Sequence, residues 1–351
     1  MKQPILKQEK DIETLVEKID QLIQKAQQHI KTAVNLTMVY TYYEIGRNIF
    51  EQEQEGKERA EYGTYLLEEV ANKLTKKYNH GYSPDNLKLM RRFYIVYSQD
   101  KIRETLFPQF ADYPALPTGE RFYLSWSHYL KLMRIDNIEE RHFYEIESVQ
   151  NNWSLSELKR QFDSSLYERL ALSSDKQKVK RLALVGQQVE KATDIIKDPL
   201  VVEFLGLDEK TEYLESDLEK RIIDNLQKFM LELGKGFTFV GRQVRFTFQE
   251  AHFRCDLVFY NRLLRCFVLF DLKIGEIKHQ DIGQMQMYVN YYDRCVKLPE
   301  ENKTIGIILC KDKNDGVVEM TLPENNDQIF ASKYQTVLPS KEELKRLIEN
   351  Q

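Results

Sequence analysis

Apolar residues recur every three or four positions from about Asp11 to Leu172, the period of amphipathic helices. "LVEKIDQLIQKAQQHIKTAVNLTMVYTYYEIGRNIFEQEQ" shows it first, and the acidic "EQEQEGKERAE" that follows predicts a solvated helix end and turn. Next, "YGTYLLEEVANKLTKKYNHGYSPDNLKLMRRFYIVY" predicts a helix that stops in "NHGY" and a second opened by Ser83 as N-cap and Pro84 at the first position. After the proline-punctuated "FPQFADYPALPTGERF", helices return in "LSWSHYLKLMRI" and in "WSLSELKRQFDSSLYERL", where Ser154 and Glu157 have capping-box spacing. Trp126 and Trp153 read as core residues.

From Glu212 the period changes. "YLESDLEKRIIDNLQKFMLELGKG" reads as a helix closed by Gly234 and Gly236, and "FTFVGRQVRFTF" alternates as a strand does. A hairpin follows in "CDLVFYNRLLRCFVLFDLK", then a helix in "DIGQMQMYVNYYDR", a buried strand in "TIGIILC" and a last helix in "SKEELKRLIEN". The fold class is α/β (α+β): an all-helical N-terminal domain, 1–172, a polar connecting segment, 173–205, and an αβββαβ domain, 206–351.

With 351 residues, 42% hydrophobic and 30% charged, the chain suits a globular protein of two domains. No apolar leader and no membrane-length apolar run is present, which predicts a cytoplasmic protein. The four cysteines, Cys255, Cys266, Cys295 and Cys310, form no CxxC pair and so predict neither a zinc site nor a disulfide framework. A net charge of −4 and a pI near 6.0 exclude an all-over basic coat but not a local basic site. Such a site is suggested by Lys73, Lys76, Lys77, Lys88, Arg91 and Arg92, which face only Asp85 around the "NHGY" turn. Two helices joined there have the outline of a helix-turn-helix presenting Asn86, Lys88 and Arg92 to nucleic acid. The alternative is a helical hairpin with a solvated basic face.

The hairpin carries the chemistry. With its turn centred on Arg262 and Leu263, Asp256 faces Leu269, and Asp271 is its diagonal neighbour on the same sheet face. Lys273 shares that face, while Val268, Phe270, Leu272 and Ile274 point into the core. Two carboxylates converging on a surface call for a cation between them, and oxygen-only ligation suits Mg²⁺ or Mn²⁺. A lysine beside that ion completes the working part of a metal-dependent phosphodiesterase. Acid-x-Lys by itself is common here: Glu157–Lys159, Asp208–Lys210, Glu276–Lys278 and Glu301–Lys303 also match, and an ordinary edge salt bridge is the alternative. Glu219, in the helix before the sheet, offers a third carboxylate. Gln284 begins the helix after the hairpin, with Tyr288 one turn on, and His252 is the one histidine placed near the site. Arg242 and Arg254 join the candidates for nucleic-acid contact.

The stretches "DLEKRIIDNLQKFMLELGKGFTFVGRQVRF", "RCDLVFYNRLLRCFVLFDLKIGEIKHQDIGQMQMYVNYYD" and "TIGIILCKDK" resemble the YhcG-like branch of the PD-(D/E)XK nuclease superfamily. "YYEIGRNIF", "GYSPDNLKLMRRFY" and "LSWSHYLKLMRI" resemble that family's helical N-terminal domain. The resemblance implies a restriction-endonuclease-like core. In it Asp256 is the first motif acid, Asp271 and Lys273 the (D/E)xK element, Glu219 the helix acid and Gln284 the following glutamine. Cys255 stands where the superfamily name has Pro, a departure that removes no ligand. Mg²⁺ or Mn²⁺ held by Asp256, Asp271 and Glu219, a DNA substrate and a homodimer are the implied cofactor and partners. The alternative is a catalytically silent nucleic-acid-binding protein of the same fold.

Overall fold

The structure is a computed structural model and describes residues 35–54, 60–99, 122–172, 176–207, 213–248, 250–338 and 340–349. The helix expected from Asp11 to residue 34 lies outside them, as does the proline-punctuated loop up to residue 121. By packing, the chain divides into Met1–Gln150 and Asn151–Gln351.

In the first unit, α1 (35–54), α2 (Ala60–Tyr78), α3 (Pro84–Ser98), α4 (Trp126–Leu132) and α5 (Ile138–Gln150) are helical. The α2–α3 turn carries Asn79 and Gly81 at positive φ. The Ser83 side chain accepts from the Asn86 N–H and Pro84 starts α3, as the sequence predicts. Tyr43, Phe93, Phe122 and Tyr129 form an aromatic core with centroids 4.9–5.7 Å apart, and Trp126 lies 5.2 Å from Phe93. Gly46 lets α1 cross α3 closely, since a Cβ there would collide with the Met90 carbonyl.

The second unit starts with α6 (Leu155–Asp163), α7 (Leu166–Leu172) and α8 (Lys176–Val185). It continues through β1 (Leu200–Val201), α9 (Glu215–Asp224), α10 (Leu226–Leu233), β2 (Phe237–Phe248), β3 (Ala251–Asn261) and β4 (Cys266–Glu276). The chain closes with α11 (His279–Tyr291), β5 (Ile305–Asp312), α12 (Asp315–Thr321), β6 (Ile329–Gln335) and α13 (Lys341–Glu349). One six-stranded sheet runs β1-β6-β5-β4-β3-β2. The β2–β3–β4 meander is antiparallel, whereas β4, β5, β6 and β1 pair in parallel. The expected αβββαβ order is present and is extended by two strands. β6, "IFASKYQ", escaped the sequence reading because Ser332, Lys333 and Gln335 break up its apolar run.

β1 comes from the segment 173–205, which composition marks as a connector. The structure divides the chain earlier, because Ile195, Leu200, Val202 and Leu205 are buried in the core of the second unit. α6 and α7 are held there as well: Arg160 and Arg169 both bond the buried Glu232 of α10. The single helix expected over 213–236 is broken at Asn225, whose φ of −118° and ψ of 29° leave the helical region. Gly234 and Gly236 close it at positive φ.

The sheet is covered on both faces. Leu218, Ile222, Phe229 and Leu233 of α9 and α10 pack on Leu257, Phe259, Val268, Phe270 and Leu272. On the other face Ile282, Met285 and Val289 of α11 pack on Val258, Leu269 and Ile308. Gly306 of β5 makes room for α11, because a Cβ there would press on Met285 and Val289.

Candidate active site

The β3–β4 hairpin sets the geometry, with one correction to its register. Leu257 pairs with Phe270 and Asn261 with Cys266, so the turn spans Arg262 to Arg265, two residues more than the tight turn the sequence suggests. Arg265 closes it at a φ of 51°, and the Asn261 side chain accepts from the Leu263 and Leu264 N–H groups. The shift is even, so side-chain parity survives. It brings Asp256 directly across from Asp271 instead of diagonal to it, one step beyond the last paired residues. There the strands part, and Asp256 Oδ2 takes the Leu272 N–H at 2.8 Å.

Asp271 is not on a surface. Because α11 covers its face, it is only 2% exposed. Ile274, expected in the core, is half-buried at the open end of β4. Lys273 Nζ lies 2.9 Å from Asp271 Oδ2, off the direction of a good hydrogen bond, and 3.8 Å from Glu215 Oε2 of α9. Burial pushes the Asp271 carboxyl up and Asp256 adds to that, so that despite Lys273 its pKa reaches about 6. For Lys273 burial acts downward, but Asp271 and Glu215 outweigh it and hold the ammonium above its ordinary value.

Glu219, one helical turn after Glu215, faces the same place. Its Oε2 accepts from Gln243 Nε2 at 2.6 Å, and the same nitrogen donates to Asp256 Oδ1 at 2.9 Å. On the α11 side Gln284 Nε2 reaches toward Asp271 Oδ1 at 3.5 Å and meets the Tyr288 hydroxyl at 2.5 Å, which donates to the Arg254 carbonyl at 2.9 Å. His252, Arg254, Gln284 and Tyr288 border one open groove. His252 shares a hydrogen bond with Thr247, and the Arg242 and Arg254 side chains are exposed on β2 and β3.

The structure therefore brings Asp256, Asp271, Lys273, Glu219 and Gln284 together. Sequence reasoning missed Glu215, which its spacing from Glu219 could have flagged, and Gln243, which carries no signal in an alternating strand. Among the described residues no three acidic, thiol or imidazole groups are already drawn together at ligand distance. Asp256 lies across from Asp271 in the hairpin, and the Gln243 amide lies between Asp256 and Glu219. The donor set still fits a hard divalent ion, being all oxygen, with Asp271 Oδ2 buried and accepting no well-directed hydrogen bond.

The basic candidates of the first unit are placed variously. Lys76, Lys77, Lys88 and Arg92 are exposed, with Lys88 3.4 Å from Asp85. Arg91 is bonded to Glu53 of α1, and Asn86 Nδ2 donates to the Gly81 carbonyl at 3.1 Å, so the asparagine braces the turn.

A family described as "YhcG PDDEXK nuclease domain" matches residues 193–349, and one described as "DUF1016 N-terminal domain" matches residues 18–169. The Escherichia coli (strain K12) protein named "Putative nuclease YhcG" is 38% identical over 343 residues, covering 92% of this chain and 90% of that one. The chain belongs to the YhcG family. Residues 193–349 thus form a PDDEXK-type nuclease domain, of a class whose members generally use divalent metal ions. Among solved structures, a repair endonuclease from Pyrococcus abyssi matches at a TM-score of 0.25 and 15% identity, over 37% of this chain and 50% of its own. EndoMS in a dsDNA complex matches at 0.26 and 15%, over 38% and 50%. The chain spans about half the length of each, and likenesses of that size carry no argument about activity. No described helix is long and apolar enough to cross a membrane.

Proposed function

We propose that this YhcG-family chain is a Mg²⁺- or Mn²⁺-dependent nuclease that hydrolyses phosphodiester bonds in DNA. The observation that carries the reading is Asp271, a buried carboxylate with an under-coordinated oxygen, set across from Asp256 and in contact with Lys273. Asp256, Asp271 and Glu219 would hold the ion. When bound, such an ion supplies charge for the phosphate and a water acidified for attack.

The chain's own residues do the rest. Lys273 is kept charged in a poorly hydrated position, where its ammonium stabilises the charge that builds on the phosphate oxygens. It also orients the attacking water opposite the leaving oxygen. Gln284, itself fixed by Tyr288, steadies the Asp271 carboxylate. Arg242 and Arg254, exposed on the strands that carry the site, contact the nucleic-acid backbone. Lys76, Lys77, Lys88, Arg91 and Arg92 give the helical unit a basic surface for the same polyanion. A second reading, a catalytically silent nucleic-acid-binding protein of this fold, is favoured by the Gln243 amide lying between Glu219 and Asp256.

Labelled linear, branched and single-stranded DNAs, with RNA beside them, are incubated with Mn²⁺ or Mg²⁺ and with chelator. Products that vanish with chelator and in Lys273→Ala support the nuclease. Unchanged nucleic-acid binding with no product on any substrate supports the silent protein.

A further inference from the structure

Gln243 stands in β2 between Arg242, paired with Leu257, and Val244, paired with Cys255, and so lies across from Asp256. Its φ is 47°, in the left-handed region that residues bearing a side chain adopt at a steric cost. Strain of this kind persists where surrounding contacts over-determine the conformation. Here the contacts are two carboxylates, Glu219 Oε2 at 2.6 Å and Asp256 Oδ1 at 2.9 Å, both served by one amide nitrogen.

The second oxygen of Asp256 is committed to the Leu272 N–H. Oδ1 is the oxygen that shares Gln243 Nε2 with Glu219, so the amide stands between the two carboxylates. A Mg²⁺-sized ion binds oxygen at about 2.0–2.1 Å, so an ion bridging Glu219 and Asp256 needs the space and the lone pairs that Nε2 takes. The amide's partial positive charge stands in for the cation and offsets the repulsion between the two acids.

We propose that Gln243 is a latch on the carboxylate pair, closed in the metal-free protein and swung out when a divalent cation links Glu219 to Asp256. This rests on the metal-dependent reading above. Deleting the amide leaves the metal-free state with two facing charges and takes nothing from the metal-bound state. Cation affinity therefore rises when Gln243 is removed, the reverse of what deleting a ligand does.

The test is a Mn²⁺ titration of the full chain, followed by calorimetry and by the electron-spin signal of free Mn²⁺. It compares wild type with Gln243→Ala, Gln243→Gly and Asp256→Asn at one pH. Glycine relieves the positive φ, so the Gln243→Gly variant separates the loss of the amide from any folding defect. The expected result is Mn²⁺ binding at least about tenfold tighter in both Gln243 variants and lost in Asp256→Asn. Equal or weaker binding in both Gln243 variants, with wild-type binding that depends on Asp256, overturns the latch alone. Binding absent from every protein, or indifferent to Asp256→Asn, overturns the metal reading and the latch together.

Discussion

Glu232 and Asp271 are buried almost completely in the same unit, and the fold treats them in opposite ways. Glu232 Oε1 takes Arg169 Nη1 at 2.6 Å and the Val201 N–H at 3.1 Å, while Oε2 takes Arg160 Nη1 at 3.1 Å. Burial acts to raise its pKa, but Arg169, Lys197 and Arg160 outweigh burial and hold it at about 2. Asp271 has one ammonium and one long amide contact, and its pKa goes up to about 6. A carboxylate engaged by two arginines and a backbone N–H has little left for a ligand. One that is buried and under-served keeps an unmet demand for positive charge, and that demand marks a site.

Replacing each acid by its amide should therefore give different losses. Asp271→Asn, like Lys273→Ala, is expected to lower phosphodiester cleavage by about a thousandfold or more in a labelled-DNA assay while the chain stays folded. Glu232→Gln leaves the buried Arg169 without its counter-ion. It should cost about 3–5 kcal/mol in denaturant unfolding, with cleavage retained in the fraction that folds. A Glu232→Gln chain of unchanged stability would erase the contrast.

The pH dependences should differ in sign. The folded pKa of Glu232 lies below its ordinary 4.5, so its stabilisation is present above 4.5 and fades as pH falls toward 2. That of Asp271 lies above its ordinary 3.8, so its contribution is full below 3.8 and is lost as pH rises through about 6. Metal-free wild type should then lose about 2–3 kcal/mol relative to Asp271→Asn between pH 4 and pH 8, as measured by unfolding of both proteins across that range.

The smallest effect is expected at the basic helix. Arg91 is tied to Glu53, so its removal would disturb helix packing, whereas Lys88 and Arg92 are exposed. Lys88→Ala with Arg92→Ala should flatten the plot of log affinity for DNA against log salt by about 1–2 units. An unchanged slope would assign these charges to a solvated face.

The reasons some features could be read in the sequence and others could not are physical. The apolar runs of β3, β4 and β5 announce strands, and an acid at the end of such a run is conspicuous, so Asp256, Asp271 and Lys273 stand out from the other acid-x-Lys matches. The register was displaced by two because a four-residue turn closed by Arg265 at positive φ leaves no mark in composition. Gln243 was invisible for a related reason: its importance comes from a backbone angle and two partners distant in sequence. β6 and the break at Asn225 depend on neighbours that local periodicity does not reveal.

The pairing of β1 with β6 has a consequence for shortened forms of this protein. A chain begun at residue 206, where the sequence changes character, would lack Leu200 and Val201 and leave the hydrogen-bonding edge of β6 open at Tyr334 and Gln335. It would also lack Arg160, Arg169 and Lys197, the three cations that hold Glu232 charged. Exposed edges recruit further strands from other molecules. Insolubility of such a fragment would report a missing border strand and a widowed acid, and would say nothing about the catalytic half's ability to fold.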